Sequence, residues 1–133
     1  MTKILIAEDE ASAREALVMY FESLGFEVRA SGDGGEVIRI GSTFKPDVLI
    51  TDWLLEGECS GVSVAREVAT VVPDTAIILI TGYPMAELRA ITEDLKVEAY
   101  MEKPISLFEL NTIVEGVVER MAQQNTAHHT NGS

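Results

Sequence analysis

The sequence predicts an α/β fold in which five parallel strands form one open, doubly wound sheet with helices on both faces. Two observations lead to this prediction. Short apolar runs alternate with longer stretches of helical period, which is typical of consecutive βαβ units. Several of the apolar runs are almost unbroken by polar residues, as expected of strands that are buried on both faces of a parallel sheet. Each crossover is expected to be right-handed.

The strands are predicted directly from the apolar runs. Four strongly apolar runs cover residues 4–7, 48–51, 76–80 and 97–101. A fifth run, at 26–30, mixes apolar and polar residues and therefore suits an edge strand.

A helix is predicted after each strand, from apolar residues at helical spacing and from residues that begin or end helices. The first helix is predicted to end at Gly25, and the second to be stopped by Gly41 and Pro46. The third is predicted to begin at Ser60, the fourth at Pro84, and the fifth at Pro104 and Ser106. The apolar stripes of these helices include Leu17, Phe21, Val37, Ile38, Val64, Val68, Val71, Leu88, Ile91, Leu110, Val114 and Val117.

One domain is predicted, over residues 1–121 of the 133. A chain of this length can bury a single well-covered core. After Met121 the composition becomes polar and loses its helical period, so residues 122–133 are predicted to form a disordered tail.

The composition limits the partners and the location that we expect. Twenty-two acidic against ten basic residues give a formal net charge of −12, which opposes direct binding of nucleic acid phosphates. No apolar run approaches the roughly 18 residues of a membrane span, and we expect no signal peptide before the first strand. The single cysteine, Cys59, fits a reducing compartment. We therefore expect a cytoplasmic protein that binds neither membranes nor nucleic acid.

Polar residues follow four of the predicted strands. Glu8 and Asp9 follow the first run, Asp52 the third, Thr81 the fourth and Lys103 the fifth. Parallel strands end at the same edge of a sheet, so these side chains are predicted to converge there. Two carboxylates about 4 Å apart repel by roughly 4 kcal/mol at an effective dielectric near 20. Three ionised carboxylates therefore need a counter-charge, and Mg²⁺ prefers such oxygen ligands.

This set of residues also fits phosphoryl transfer. Asp52 is the candidate nucleophile, because a carboxylate can attack phosphorus and form an acyl phosphate. Lys103 can pair with one phosphoryl oxygen and Thr81 can donate its hydroxyl to another. Taken alone, Glu8 and Asp9 would fit equally well as acidic residues at the start of a helix.

The ordered combination of an acid pair, a lone aspartate, a threonine and a Lys-Pro pair resembles that of response-regulator receiver domains, over residues 2 to about 121. The resemblance implies a flavodoxin-like sheet of strand order 2-1-3-4-5. It also implies that Asp52 is the phosphoacceptor, that Asp9 binds Mg²⁺ directly and Glu8 partly through water, and that the backbone carbonyl of Leu54 completes the protein ligands.

Further properties follow from the same resemblance. Lys103 would contact the phosphoryl group, and its peptide bond to Pro104 would be cis. Thr81 and Tyr100 would form a switch pair, in which the hydroxyl turns toward the phosphate and the aromatic ring moves inward. The donor would be a sensor histidine kinase or a histidine phosphotransfer protein, and the target an unidentified downstream protein. The chain would catalyse only its own phosphorylation and dephosphorylation, so we expect no other enzyme activity.

Alternatives remain open at this level. A flavodoxin-like cofactor carrier needs a neutral, glycine- and hydroxyl-rich loop after the first strand, where this chain has Glu8 and Asp9. A haloacid-type phosphohydrolase needs a second aspartate two residues after the first, where this chain has Leu54. A degenerate receiver that acts as a phosphorylation-independent binding scaffold would carry the same fold. A stand-alone regulator and a receiver from a larger protein, such as a hybrid kinase, fit the sequence equally well.

Overall fold

The computed structural model describes residues 1–53, 55, 60–82 and 85–131, with side chains described up to residue 124. Five strands and five helices alternate strictly in these parts of the chain, which confirms the predicted α/β fold. In chain order they are β1 Lys3–Ala7, α1 Ala11–Ser23, β2 Glu27–Ser31, α2 Gly34–Phe44, β3 Val48–Asp52, α3 Gly61–Val71, β4 Ala76–Thr81, α4 Met85–Ile91, β5 Val97–Glu102 and α5 Leu107–Asn131.

All strand pairs are parallel and the strand order is β2-β1-β3-β4-β5, as the resemblance implied. The chain leaves β1 for β2 on one side and continues to β3 on the other. The topological switch point therefore lies between β1 and β3, where open α/β sheets bind their ligands. Ala7 pairs with Thr51, so the residue after each of them, Glu8 and Asp52, lies at this point.

Two hydrophobic layers cover the sheet. Successive residues of a strand point to opposite faces, so Ile4 and Ile6 of β1 pack into one layer and Leu5 into the other. Helices α1 and α5 supply the first layer, through residues such as Phe21 and Val114. Helices α2, α3 and α4 supply the second. Because both faces of the central strands are covered, their sequences are apolar runs rather than alternating patterns.

Several predicted helix ends agree with the structure. Gly25 follows α1 with a positive φ of 93°, which glycine adopts without a steric penalty. Ser60 precedes α3, and its hydroxyl accepts a hydrogen bond of 3.1 Å from the backbone N–H of Ser63. The predicted start of α4 at Pro84 lies outside the described residues.

Of the two residues predicted to stop the second helix, Gly41 does not do so, because α2 continues to Phe44. A Cβ on Gly41 would lie 3.3 Å from Cγ2 of Val68 in α3, so this glycine allows two helices to pack closely. The helix is capped by Lys45, whose φ of 52° is left-handed, directly before Pro46, the other residue predicted to stop it.

Two other predictions need correction. Ile91 and Val71 were predicted to face the core, but they are exposed at 44% and 49%, respectively, because each is the last residue of its helix. The predicted disordered tail after Met121 is helical up to Asn131, since α5 continues without a break. Alanine and glutamine favour helix, and the segment holds no glycine before Gly132 and no proline. The domain boundary at residue 121 stays a prediction.

Within the described residues, no helix has both the length and the apolar character needed to cross a membrane.

Candidate functional site

Three carboxylates meet at the carboxyl edge of β1 and β3. One carboxylate oxygen from each of Glu8, Asp9 and Asp52 lies within 4.8 Å of the others. Glu8 and Asp52 are buried, at 8% and 6% exposure, and Asp9 is half-buried. The structure therefore brings together the three acidic side chains that the sequence predicted to converge.

Lys103 provides positive charge for this cluster. Its Nζ donates a hydrogen bond to Oδ2 of Asp52 over 2.5 Å, while its own side chain remains 44% exposed. The backbone N–H of Lys103 donates to the carbonyl of Thr81 at 2.8 Å, so β4 holds the start of the loop that carries the lysine. The Lys103–Pro104 peptide bond is cis, the isomer that the resemblance implied.

Burial and neighbouring charges shift the pKa values of two residues in the cluster. Burial raises the pKa of Glu8 to about 7 from 4.5, helped by a hydrogen bond with Asp52 and by the charges of Asp52 and Asp9, against the opposing effect of Lys103. Partial burial lowers the pKa of Lys103, but the hydrogen bond and the charge of Asp52 outweigh it and raise that pKa. Without a cation, the Glu8 carboxyl is therefore partly protonated near neutral pH.

The donor set of this cluster fits a hard divalent cation. Three carboxylates supply the oxygen ligands that Mg²⁺ prefers, and a doubly charged ion would replace the proton that the raised pKa of Glu8 retains. Glu8, Asp9 and Asp52 are the side chains that could hold it. The backbone carbonyl of Leu54, which the resemblance implied as a further ligand, lies outside the described residues.

Arg14 supports the acid pair and was missed by the sequence analysis. Its guanidinium donates to the carbonyl of Glu8 at 2.8 Å, and the N–H of Glu8 donates to the carbonyl of Ser31 at 3.1 Å. Gly32 lies against the same turn, where a Cβ would be 2.7 Å from Arg14 and 3.2 Å from the Glu8 carbonyl oxygen. An arginine in the first turns of the helix after an acid pair is the only signal that the sequence offered for this contact.

The backbone of Asp52 is fixed by its neighbours. The N–H of Trp53 donates to the carbonyl of Ile80 at 2.8 Å, and the N–H of Gly61 donates to the carbonyl of Trp53 at 2.7 Å. A Cβ on Gly61 would lie 1.7 Å from the carbonyl oxygen of Asp52. The start of α3 therefore approaches the aspartate as closely as only glycine permits.

Thr81 and Tyr100 lie on the same face of the sheet. Thr81 is fully buried at the end of β4 and pairs in register with Glu102, and Tyr100 pairs with Leu79. Because side chains two residues apart share a face, Thr81 and Tyr100 both face the layer of α2, α3 and α4. Tyr100 is half-buried, and its hydroxyl is 2.7 Å from Oγ1 of Thr92.

A mainly apolar groove of about 680 Å³ opens beside the cluster. Asp52 and Lys103 line one end, and Ala13 and Leu17 of α1 together with Ile105 form its walls. Another cavity, of about 530 Å³, lies at the opposite edge of the sheet, near Asp47 and Thr75, away from the carboxylates.

Comparison with known proteins assigns a family to this arrangement. Residues 4–115 match the family model of the response regulator receiver domain. Regulatory protein AtoC of Escherichia coli is 30% identical over 131 residues, which cover 97% of this chain and 28% of AtoC. Transcriptional regulatory protein PdtaR of Mycobacterium tuberculosis is 32% identical over 124 residues, which cover 91% of this chain and 58% of PdtaR. The chain thus spans less than two thirds of the length of either relative.

Solved structures show the same fold. A response regulator receiver domain protein from Clostridium thermocellum superposes with a TM-score of 0.84 at 25% identity, covering 93% of this chain and 99% of that one. The signal receiver domain of a modulated diguanylate cyclase from Desulfovibrio desulfuricans superposes with a TM-score of 0.82 at 26% identity, covering 93% and 98%.

Proposed function

Because the chain belongs to the response regulator receiver domain family of two-component systems, we propose that it accepts a phosphoryl group on Asp52 from a phosphohistidine of a partner protein. One observation carries this proposal above all others. Asp52 lies between a lysine at 2.5 Å and two further carboxylates, at the switch point of the sheet. A carboxylate in this setting has the ammonium group of Lys103 on one side and, on the other, two carboxylates that could hold a divalent cation with it.

In the proposed reaction, a carboxylate oxygen of Asp52 attacks phosphorus as the P–N bond of the phosphohistidine breaks. The imidazole nitrogen leaves with the electron pair, and an acyl phosphate forms on Asp52. Lys103 transfers its hydrogen bond from the carboxylate to a phosphoryl oxygen. Its side chain is partly exposed, so this movement meets little steric resistance. In this proposal the hydroxyl of Thr81, at the end of the neighbouring strand, would donate to a second phosphoryl oxygen.

We propose that Mg²⁺ is the cofactor and that Glu8, Asp9 and Asp52 hold it. When bound, the ion neutralises the negative charge of the transferring group. The chain contributes the carboxylates and the arginine that fixes the Glu8 turn, and the burial of Glu8 and Asp52 limits the access of water. The carbonyl of Leu54 remains a predicted ligand.

The proposed partners and activity follow the same chemistry. The donor is a sensor histidine kinase or a histidine phosphotransfer protein, and the recipient of the signal is a downstream protein. No separate substrate is proposed, since the chain would catalyse only its own phosphorylation and the hydrolysis of its acyl phosphate. The cytoplasmic location stays a prediction.

We further propose that phosphorylation shifts a balance between two conformations through Thr81 and Tyr100. The two residues share a face of the sheet, and the short helix α4 lies between them along the chain. A phosphoryl group that attracts the Thr81 hydroxyl would free space on this face, which the ring of Tyr100 could then occupy.

The intact mass after incubation with acetyl phosphate and Mg²⁺ tests the phosphoacceptor. We expect a gain of one phosphoryl group, about 80 Da, that depends on Mg²⁺ and is lost in Asp52→Asn. Asp74→Asn, which changes an exposed acid at the far edge of the sheet, is the matched control and should gain the same mass. No gain in the native protein under any condition would favour the phosphorylation-independent scaffold instead.

A further inference from the structure

The hydroxyl of Tyr100 contacts a second buried hydroxyl. Thr92 follows α4 by one residue and is fully buried, and its Oγ1 lies 2.7 Å from the Tyr100 oxygen. Oγ1 of Thr92 is also 2.8 Å from the carbonyl oxygen of Leu88. Thr92 therefore connects the ring of Tyr100 on β5 to the backbone of α4.

The direction of these hydrogen bonds follows from counting protons. A threonine hydroxyl has one proton, and a carbonyl oxygen can only accept. Thr92 therefore donates to the carbonyl of Leu88, and Tyr100 must donate to Thr92. If the ring of Tyr100 moves away, the hydroxyl of Thr92 loses its donor in a position closed to water, which costs more than losing a solvated contact.

Further contacts hold the two partners in place. The guanidinium of Arg89 lies 4.5 Å from the ring centroid of Tyr100, within the range of a cation–π interaction. On the other side, Arg66 of α3 donates to the carbonyl of Ile91 at 2.8 Å and to both carboxylate oxygens of Asp94 at 2.7 and 3.0 Å. The end of α4 is therefore attached to α3 and to β5 at once.

We propose that Thr92 is a positioning residue that holds Tyr100 in the resting conformation and thereby sets how far phosphorylation shifts the switch. This inference rests on the proposed function, because it assigns the resting partner of the proposed switch tyrosine. The Thr92–Tyr100 hydrogen bond stabilises one of two conformations, so its loss moves the equilibrium toward the other by the same free energy. Phosphorylation at Asp52 must then work against this bond.

The test uses two substitutions that separate the hydroxyl from the rest of the side chain. Thr92→Val keeps the shape and removes the hydroxyl, whereas Thr92→Ser keeps the hydroxyl and removes a methyl group. The protein is labelled with 3-fluorotyrosine, which gives three fluorine resonances for the three tyrosines, and the Tyr100→Phe variant identifies the signal of Tyr100. Spectra are recorded with and without Mg²⁺ and beryllofluoride, a mimic of the phosphoryl group.

In the native protein we expect the mimic to move the Tyr100 resonance. In Thr92→Val without the mimic, the resonance should already lie part of the way toward that position, because the ratio of switched to resting conformations rises about fivefold. That factor equals about 1 kcal/mol, the usual net contribution of one hydrogen bond. Thr92→Val should also bind the mimic more tightly, by up to the same factor, while Thr92→Ser behaves as the native protein. A general loss of stability would not tighten binding.

Two results would contradict the proposed role of Thr92. If Thr92→Val and Thr92→Ser give the same Tyr100 position and the same affinity for the mimic, the hydroxyl has no part in the switch. The second result would be a native protein that gains the phosphoryl mass and binds the mimic while its Tyr100 resonance does not move. The proposed role of Thr92 would then be wrong, and the proposed phosphoacceptor function would stand. If the native protein never gains the phosphoryl mass, both the proposed function and the proposed role of Thr92 are rejected.

Discussion

Glu8 is the residue of the proposed metal site whose ionisation is most affected by its surroundings. Its pKa is raised to about 7 in the folded chain, first by burial and then by Asp52 and Asp9. In the unfolded chain the same carboxyl has its ordinary pKa near 4.5. The stability that Glu8 contributes in its protonated form is therefore complete below about pH 4.5 and is lost as the pH rises through about 7 in the absence of metal. A bound divalent cation reverses this loss, because it favours the ionised carboxylate.

We expect the affinity for Mg²⁺ to rise with pH up to about 7 and then to level off. Below that pH a proton must leave Glu8 before the ion binds, which costs up to tenfold in affinity for each pH unit. Titration of Mg²⁺ between pH 5.5 and 8.5, followed by the fluorescence of Trp53 next to Asp52, measures this dependence.

Glu8→Gln provides the comparison for that titration. The variant should bind Mg²⁺ more weakly at pH 8 and show a flatter pH dependence, since the titrating group is gone. Glu36→Gln, which changes an exposed acid in the first turn of α2, should titrate as the native protein does. An affinity that stays constant from pH 5.5 to 8.5 in the native protein would contradict the assignment of Glu8.

At the scale of secondary structure, the start of α3 supports Asp52, the proposed phosphoacceptor. Gly61 approaches the carbonyl oxygen of Asp52 so closely that any larger residue must displace one of the two backbones. The same helix carries Arg66, which fixes the end of α4. Helix α3 therefore connects the position of Asp52 with that of the proposed switch.

Gly61→Ala is expected to destabilise the protein by about 3 kcal/mol, as an overpacked site with backbone on the other side, and to slow phosphorylation because Asp52 moves. Urea unfolding and the rate of mass gain with acetyl phosphate measure the two effects. Gly116→Ala is the matched control. Gly116 lies on the exposed face of α5 and a Cβ there meets nothing within 4 Å, so this change should stabilise the protein by about 0.5–1 kcal/mol and leave the rate unchanged. If the two substitutions had equal effects, the close approach of Gly61 to Asp52 would not constrain the residue type at position 61.

At the scale of the whole molecule, burial along α5 decreases toward the last side chains that the structure describes. Val117 is the last buried side chain in the described part of α5, Met121 is half-buried against the same layer, and residues 122–124 are exposed. The last 12 residues also carry none of the acidic or basic residues behind the net charge of −12. Among the described side chains of α5, packing against the core therefore extends to Met121.

A chain shortened to residues 1–121 is expected to unfold in urea with a free energy within about 1 kcal/mol of the full chain. A chain shortened to residues 1–115 loses the buried Val117 and should be less stable by more than about 2 kcal/mol. If the first truncation destabilised the protein as much as the second, the predicted boundary at 121 would be wrong.

The sequence by itself determined the order of the strands and helices and the residues of the candidate site. Strands buried on both faces must be apolar throughout, and a parallel sheet must end all its strands at one edge. Uninterrupted runs followed by Glu8, Asp9, Asp52, Thr81 and Lys103 therefore predicted both the fold and the convergence of side chains. The strand order itself came from resemblance to known proteins, because local patterns carry no information on which strands are neighbours.

Only the tertiary structure decided how individual residues are used. Gly41 looked like a helix end in the sequence, yet it lies where α2 meets α3, because what lies beside a glycine is set by packing between elements. The contacts of Arg14 with the Glu8 turn, of Gly61 with Asp52 and of Thr92 with Tyr100 each join residues from different elements. Hydrogen bonds and close approaches of this kind depend on three-dimensional distance, which the spacing of residues along the chain does not contain.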